Sequence, residues 1–522
     1  VADDPVNTAD DTAGDTAGDT ADAASAAEER STLEAERARR FAKVDALRAA
    51  GVEPYPYRFD RSHTLDEVRT TWGHLEAGVE TDDAVTVAGR LMLIRRQGKL
   101  IFATMRDRAG EIQLFVSKAV VGDEAFGAID DLDLGDWVGV TGTVMTTRKG
   151  ELSVKVATAQ LLAKAVRPLP DKWKGLSDTD TRYRQRYVDL IVNPEARRNF
   201  EVRHAVIQSV RRTLTDRGFV EIEGPILQNE AGGAHARPFV THHNALGLDM
   251  YLRIALELHL KRLIVGGLER VFEIGRVFRN EGISTRHNPE FTMLECYQAF
   301  ADMTDIMDLT EAILREAARA AIGTTVIQVG EVTVDLDQPF RRASMLELIE
   351  TYGGGVRLHP SMPLADVRNE ATALGVTVED WWGTGKIIEE TFEHVAERHL
   401  IAPTFVTGHP VEVSPLARID RNDPTVTERF ELFVHGRELA NAFSELNDPR
   451  VQRERFEDEQ RAKEAGDAEA GTVDEDYLRA LEFGMPCTGG LGIGIDRLVM
   501  LLAGTESIKE VILFPTLRPE VR

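Results

Sequence analysis

The run Arg276-Val277-Phe278-Arg279-Asn280-Glu281-Gly282, followed after a short polar loop by His287-Asn288-Pro289-Glu290-Phe291-Thr292-Met293-Leu294-Glu295, constrains the fold more than any other part of the chain. It reads as strand, polar loop, strand. Alternate residues of a strand share a face, so Arg279 projects with Glu281, and Phe291, Met293, Glu295 and Tyr297 line one surface. A guanidinium suits phosphate and an aromatic ring suits a purine, so this face reads as a nucleotide platform with carboxylates beside it.

Composition narrows the classes. At 522 residues and 43% hydrophobic content the chain supports two or three domains with sizeable cores. No window approaches the apolar run of about 20 residues that spans a bilayer, and the basic-then-apolar pattern of a secretory signal is missing. A cytoplasmic protein with no membrane partner is therefore expected. Two cysteines, Cys296 and Cys487, give neither a disulfide framework nor a paired thiolate zinc site. The strand position of Cys296 predicts a packing role. A net charge of −25 sits poorly with nucleic-acid binding. Residues 1–30, however, hold nine acids against Arg30 alone. An acidic balance also leaves recognition to local surfaces, and does not exclude tRNA.

Residues 1–30, with their repeated Thr-Ala-Gly-Asp, carry almost no large apolar side chain and are expected to be a disordered acidic tail. A helical segment follows over 31–83, with a helix from Ser31 to Ala50 stopped by Gly51. Its Arg37, Arg39, Arg40 and Lys43 read either as a solvated face or as a contact for an RNA backbone. Five short alternating strands between Val85 and Leu162 predict a small β-barrel of the OB type over 84–165. On such a barrel Phe102 and Phe115 serve either as core or as platforms for unpaired bases. A connector over 166–194 carries Arg182, Tyr183, Arg184, Arg186 and Tyr187. A helix from Glu195 to Arg217, stopped at Gly218, then opens the remainder, 195–522. A helical stretch with the Trp381-Trp382 pair lies at about 341–400.

The opening pattern and the late Gly490-Leu491-Gly492-Ile493-Gly494-Ile495-Asp496-Arg497 together resemble motifs 2 and 3 of the class II aminoacyl-tRNA synthetases. Ala236-Arg237-Pro238-Phe239-Val240-Thr241-His242-His243-Asn244-Ala245-Leu246 and Phe443-Ser444-Glu445-Leu446-Asn447-Asp448 are similar to the bacterial lysyl branch of that family. The resemblance spans roughly residues 35 to 522. It implies an α+β architecture: an N-terminal OB-fold barrel that reads an anticodon, and a catalytic domain on an antiparallel sheet flanked by helices. It also implies a homodimer built through the helix, the strand at Val220–Ile222 and Pro225, and an insertion of helices at 341–400.

No Gly-x4-Gly-Lys-Ser/Thr loop is present, since Gly385-Lys386 is followed by Ile387, so ATP must be held by side chains. By resemblance, Arg279 takes the α-phosphate and Arg497 the γ-phosphate, both through bidentate guanidinium bonds. Phe291 stacks on adenine with Glu281, His287 and Asn288 around it, and Glu431 and Glu438 hold Mg²⁺, an ion that takes oxygen ligands. L-lysine falls to Gly233 and Glu257 at the α-ammonium, Arg279 and Asn441 at the α-carboxylate, and Glu295, Tyr297, Phe443 and Glu445 at the side chain. Phe102, Gln113, Phe115 and Glu151 fall where the family reads the anticodon of tRNA(Lys). Leu256, His259 and His235 depart from residues usual at their positions.

Overall fold

The computed structural model describes residues 16–170, 176, 178–230, 232–329, 331–464 and 469–519, with side chains from Ser31 onwards. Half of the expected tail, residues 1–15, and part of the expected connector lie outside them. The chain forms two compact units, one up to Gly175 and one from Leu176.

The first unit is a closed barrel. Strands Glu80–Gln97, Leu100–Arg106, Glu111–Ser117, Trp137–Thr146 and Leu152–Ala163 pair in the order first, second, third, fifth, fourth. In the second and third strands every other residue is buried. Ile101, Ala103, Met105, Ile112, Leu114 and Val116 point inward, which leaves Phe102, Gln113 and Phe115 on the outer face. The first strand is longer than its hydrophobic pattern predicts, and its register shifts against both neighbours let it bend around the barrel. Helices Lys118–Val121 and Asp123–Asp130, which no sequence pattern announced, place Phe126 and Ile129 in the barrel core.

The N-terminal helix runs from Thr16 to Ala49, not from Ser31, so residues 16–30 are helical where a disordered tail is expected. The run Ala21-Asp22-Ala23-Ala24-Ser25-Ala26-Ala27 supplies strong helix formers that an argument from burial alone overlooks. The basic cluster on this helix fastens it to the barrel. Arg39 pairs with Asp133 at 2.8 Å, Arg40 donates to Leu134 O and Ala165 O, and Lys43 donates to Asp131 O at 2.6 Å. Three of its four cations are thus engaged within the unit, which favours a structural reading over RNA contact.

The second unit is built on an eight-stranded sheet. Across it run Arg341–Ser344, Thr404–Thr407, Arg429–Phe433, Glu438–Ser444, Thr488–Gly494, Glu290–Ala299, Arg270–Phe278 and Val220–Glu221. Only the two edge strands pair in parallel. Helices Pro194–Thr215, Met303–Ile322 and Ile495–Ala503 cover one face, burying Val206, Leu214, Ile313, Leu314 and Leu498 against Phe272, Leu294, Cys296, Ala442, Leu491 and Ile493. Each such large apolar side chain stabilises the fold by about 1.5–3 kcal/mol. Strand alternation then sends Glu295, Tyr297, Asn441 and Phe443 to the opposite face. One sheet thus has an apolar side that holds the unit together and a charged side free for chemistry.

Two expectations are corrected. The strand from Arg270 ends at Phe278, so Arg279 and Glu281 lie in the loop beyond it. Arg341–Ser344 is a sheet strand and not the start of a helical insertion. The helices Met345–Tyr352, Leu364–Ala373 and Thr384–Val395 follow it, with their own core of Leu348, Ile349, Val367, Ile387, Ile388 and Phe392. Among the described residues no helix is long and apolar enough to cross a membrane.

Candidate active site

The charged face of the sheet opens into a cavity of about 370 Å³. Every residue assigned to ATP, lysine or metal lines it: Gly233, Glu257, Arg279, Glu281, His287, Asn288, Phe291, Glu295, Tyr297, Glu431, Glu438, Asn441, Phe443, Glu445 and Arg497. They come from two loops, the starts of two helices, three strands of the sheet and the residue just beyond the end of one of them.

At one end carboxylates converge. Glu257 is the first residue of helix Glu257–Val265, and the N–H of Leu256 just before it donates to Glu295 Oε1 at 3.0 Å. The Tyr297 hydroxyl donates to Glu295 Oε2 at 3.1 Å. Burial, and then the charge of Glu257, push the Glu295 carboxyl up to about 8 against those bonds and Arg279. Glu445 is fully buried and ion-paired through Oε2 to Lys261 Nζ. Strand Thr488–Gly494 forms the floor, and its Gly490 lies so close that a Cβ there would fall on Glu445 Oε1 and the Tyr297 ring.

The other end is cationic. Arg279 lies with its guanidinium 5.2 Å from the Phe291 ring centroid, so the two form one wall. Burial lowers its pKa, partly offset by Glu281, Glu438 and Glu295. Arg497 donates to Glu438 Oε2 at 2.9 Å and to the Glu438 carbonyl at 3.0 Å. Glu431 accepts from Arg429 at 2.6 Å, and burial pushes it up to about 8, with the Glu438 charge adding to the rise against Arg429. Two crowded carboxylates offering only oxygen suit a hard divalent cation. Among the described residues no group of three or more Asp, Glu, His or Cys side chains is arranged to hold a metal ion, so oxygens from outside the chain, of phosphate or water, would complete the shell.

Asn288 lines the cavity, but its side chain is already engaged: Nδ2 donates to Glu290 O at 2.6 Å and Oδ1 accepts from Thr516 N at 3.0 Å. It shapes the loop. His287 shares a 3.0 Å hydrogen bond with the Ser284 hydroxyl. His235, one of the departures noted above, is half exposed beside Glu469.

Three side chains escaped the sequence reading. Arg429 donates to Glu431, to Asn441 Oδ1 at 3.1 Å and to Val413 O at 2.8 Å, tying two strands and a loop. Its period-2 spacing from Glu431 is the signal that could have found it. Asp496 accepts from Thr292 N at 2.7 Å and from Arg203, anchoring the strand beneath the cavity. Lys261 stands one helical turn after Glu257 and pairs with it.

On the barrel, Phe102 and Phe115 are cross-strand partners with ring centroids 5.4 Å apart. Gln113 donates to Ser153 Oγ at 2.9 Å, and Glu151 is exposed at the turn before the last strand.

The chain matches two family models. Residues 178–518 match the tRNA synthetases class II (D, K and N), and residues 85–162 match an OB-fold nucleic acid binding domain. It is 54% identical over 478 residues to the lysine–tRNA ligase of Enterococcus faecalis, covering 91% of this chain and 96% of that protein. It is 52% identical over 478 residues to that of Bacillus subtilis, covering 91% and 96%. With that of Thermosynechococcus vestitus it shares 52% over 490 residues, covering 93% and 97%. A sheet with one charged face, a cavity lined by every expected polar group, and similarity over nine-tenths of the chain converge: the chain belongs to the class II tRNA synthetase family, in its lysine–tRNA ligase branch.

Proposed function

We propose that the protein activates L-lysine with ATP to lysyl-adenylate and pyrophosphate, then transfers the lysyl group to the 3′ end of tRNA(Lys) in the cytoplasm. The observation that carries this reading is the acidic end of the cavity, where Glu257, Glu295 and Glu445 gather beside the Tyr297 and Phe443 rings. A diamino acid brings these carboxylates further ammonium partners; a substrate without the terminal ammonium leaves Glu445 with Lys261 alone and Glu295 with only the Leu256 N–H and the Tyr297 hydroxyl. Aspartate would need cations there, and asparagine has no charge to meet these carboxylates.

Glu257 and the backbone at Gly233 receive the α-ammonium, and Arg279 and Asn441 hold the α-carboxylate. Glu445, Glu295 and Tyr297 take the ε-ammonium while Phe443 packs along the side chain. The carboxylate oxygen then attacks the α-phosphorus in line with the departing pyrophosphate, and Arg279 and Arg497 bind the charge that spreads over the phosphate oxygens. Phe291, with Glu281 and His287, cradles the base. A Mg²⁺ ion held by Glu431 and Glu438 would supply further neutralisation of phosphate charge. Arg497 is bonded to Glu438, so this guanidinium is held beside the carboxylate that would carry the metal and within the same end of the cavity as the phosphates. Phe102, Gln113, Phe115 and Glu151 on the barrel face read the anticodon by stacking and hydrogen bonding. The protein acts as a homodimer, a reading supported by exposed Val220, Ile226 and Leu227 after helix Pro194–Thr215.

Amino-acid-dependent ATP/pyrophosphate exchange tests the reading without tRNA. Lysine alone should drive exchange; exchange driven by another amino acid, or by none, overturns it.

Two further results are expected. With its carboxyl held at about 8, Glu295 keeps a proton at neutral pH, and an arriving ammonium favours the ionised form. The KM for lysine should therefore fall as pH rises from neutrality through about 8, by at most about tenfold per unit. Calorimetry at neutral pH in buffers of different ionisation enthalpy should show proton release on binding, and none released would remove Glu295 from the ammonium site. Gly490→Ala puts a methyl group where Glu445 and Tyr297 meet. Lysine-dependent exchange should drop about 100-fold or more, mostly through KM, with ATP binding kept; an unchanged lysine KM would show that the floor is not in contact with substrate.

A further inference from the structure

The acidic end of the cavity contains an ammonium of its own. Lys261 is 0% exposed, on helix Glu257–Val265, and it pairs with both Glu257 Oε1 and Glu445 Oε2. Its Nζ lies 5.8 Å from the Tyr297 ring centroid and 5.4 Å from that of Phe443. Those four partners all line the cavity, whereas Lys261 does not. It sits behind the wall, touching from the back the groups that the proposed substrate touches from the front.

A buried ammonium is costly unless fully paired, and an apolar side chain of similar volume is often as good for stability. Packing alone therefore gives no reason for a lysine here. The geometry gives one. Glu257 stands at a helix start and Glu445 just beyond the end of strand Glu438–Ser444, on elements far apart in sequence. Lys261 is the charge common to both. The two carboxylates would otherwise repel, or take up protons and lose the charge that binds an ammonium. Burial pulls the Lys261 ammonium down, but Glu257 and Glu445 more than offset it and hold it above its ordinary value.

We propose that Lys261 is a positioning residue that sets the separation of Glu257 and Glu445, and thereby the length of diamino acid the cavity accepts. This rests on the reading above, in which Glu257 receives the α-ammonium and Glu445 the ε-ammonium. A ligand one methylene shorter carries its two ammonium groups at a different spacing, and meets both anchors less well while Lys261 fixes them to one common charge. Discrimination against it should then exceed the roughly 10–200-fold that one methylene gives in an apolar pocket.

The test compares lysine with ornithine in pyrophosphate exchange, using the full chain and its Lys261→Met and Lys261→Arg variants. Lys261→Met should raise the lysine KM by about 100-fold, with kcat falling about tenfold or less and the ATP KM unchanged. The lysine-over-ornithine ratio of kcat/KM should fall by at least about tenfold. Lys261→Arg keeps the charge but carries a longer, planar head, and should shift the ratio without abolishing exchange. An unchanged ratio in a folded variant, with any loss confined to kcat, overturns the proposal, as does failure of both variants to fold, which would make Lys261 structural. Absence of lysine-dependent exchange in the unmutated protein is a separate outcome that brings down the underlying reading and this one with it.

Discussion

Replacing Arg279 with alanine should lower kcat/KM for lysine-dependent pyrophosphate exchange by about 10³-fold or more, equivalent to about 4 kcal/mol of transition-state stabilisation. The size of the effect follows from position. Arg279 lies between the two ends of the cavity, feels the fields of Glu281, Glu295 and Glu438, and is stacked on Phe291. In the proposed reaction it touches both reacting partners, the amino-acid carboxylate and the α-phosphate, so its loss removes alignment and charge together. An ammonium in its place would restore charge without the two-pronged geometry, and Arg279→Lys should recover only a small part of the activity. Exchange by Arg279→Ala within tenfold of the parent protein would refute the role. Because the side chain is only half-buried at a loop, the melting temperature should move little, separating loss of catalysis from loss of fold.

Glu445→Gln should have the second largest consequence, and of a different kind. The neutral amide removes the anchor for the ε-ammonium and leaves Lys261 with Glu257 alone. Sites built around a polar group lose about 10⁴–10⁵ of discrimination when the match fails, so kcat/KM for lysine should fall by about 10³–10⁴. Removing one member of a buried ion pair also destabilises, by about 3–5 kcal/mol, although the surviving Glu257 contact should hold the loss to the low end. Thermal unfolding and exchange kinetics together check this. A lysine KM unchanged in Glu445→Gln would move the ammonium site elsewhere in the cavity.

One part of the candidate site was legible because its groups repeat at period two within a single strand, whereas Gly233, Glu257, Arg279, Glu431, Glu438 and Arg497 were assigned through the family resemblance. Phe291, Met293, Glu295 and Tyr297 need only the assumption of an extended backbone to share a face, and they do line one cavity. What stayed hidden depends on contacts between distant segments. Lys261 in sequence is an ordinary i,i+4 partner of Glu257, and nothing local announces that Glu445 closes on it from another strand. Arg341–Ser344, four mostly polar residues, becomes a strand only by pairing with Thr404–Thr407 some sixty residues later. The N-terminal helix shows the opposite failure. Its alanines carried local information that was outweighed by the lack of apolar surface, although helix propensity does not require a core.

The glycine floor under Glu445 and Tyr297 gives the substrate seat a direction in which it can change. Main chain, not side chain, sets the depth there, and Gly490 has nothing left to remove. Every substitution at that position subtracts space, so variation along this wall can make the enzyme fussier or inactive but cannot make it accommodate a bulkier amino acid. Any broadening of its diet has to come from the opposite side of the cavity, where the carboxylates and rings still have atoms to give up.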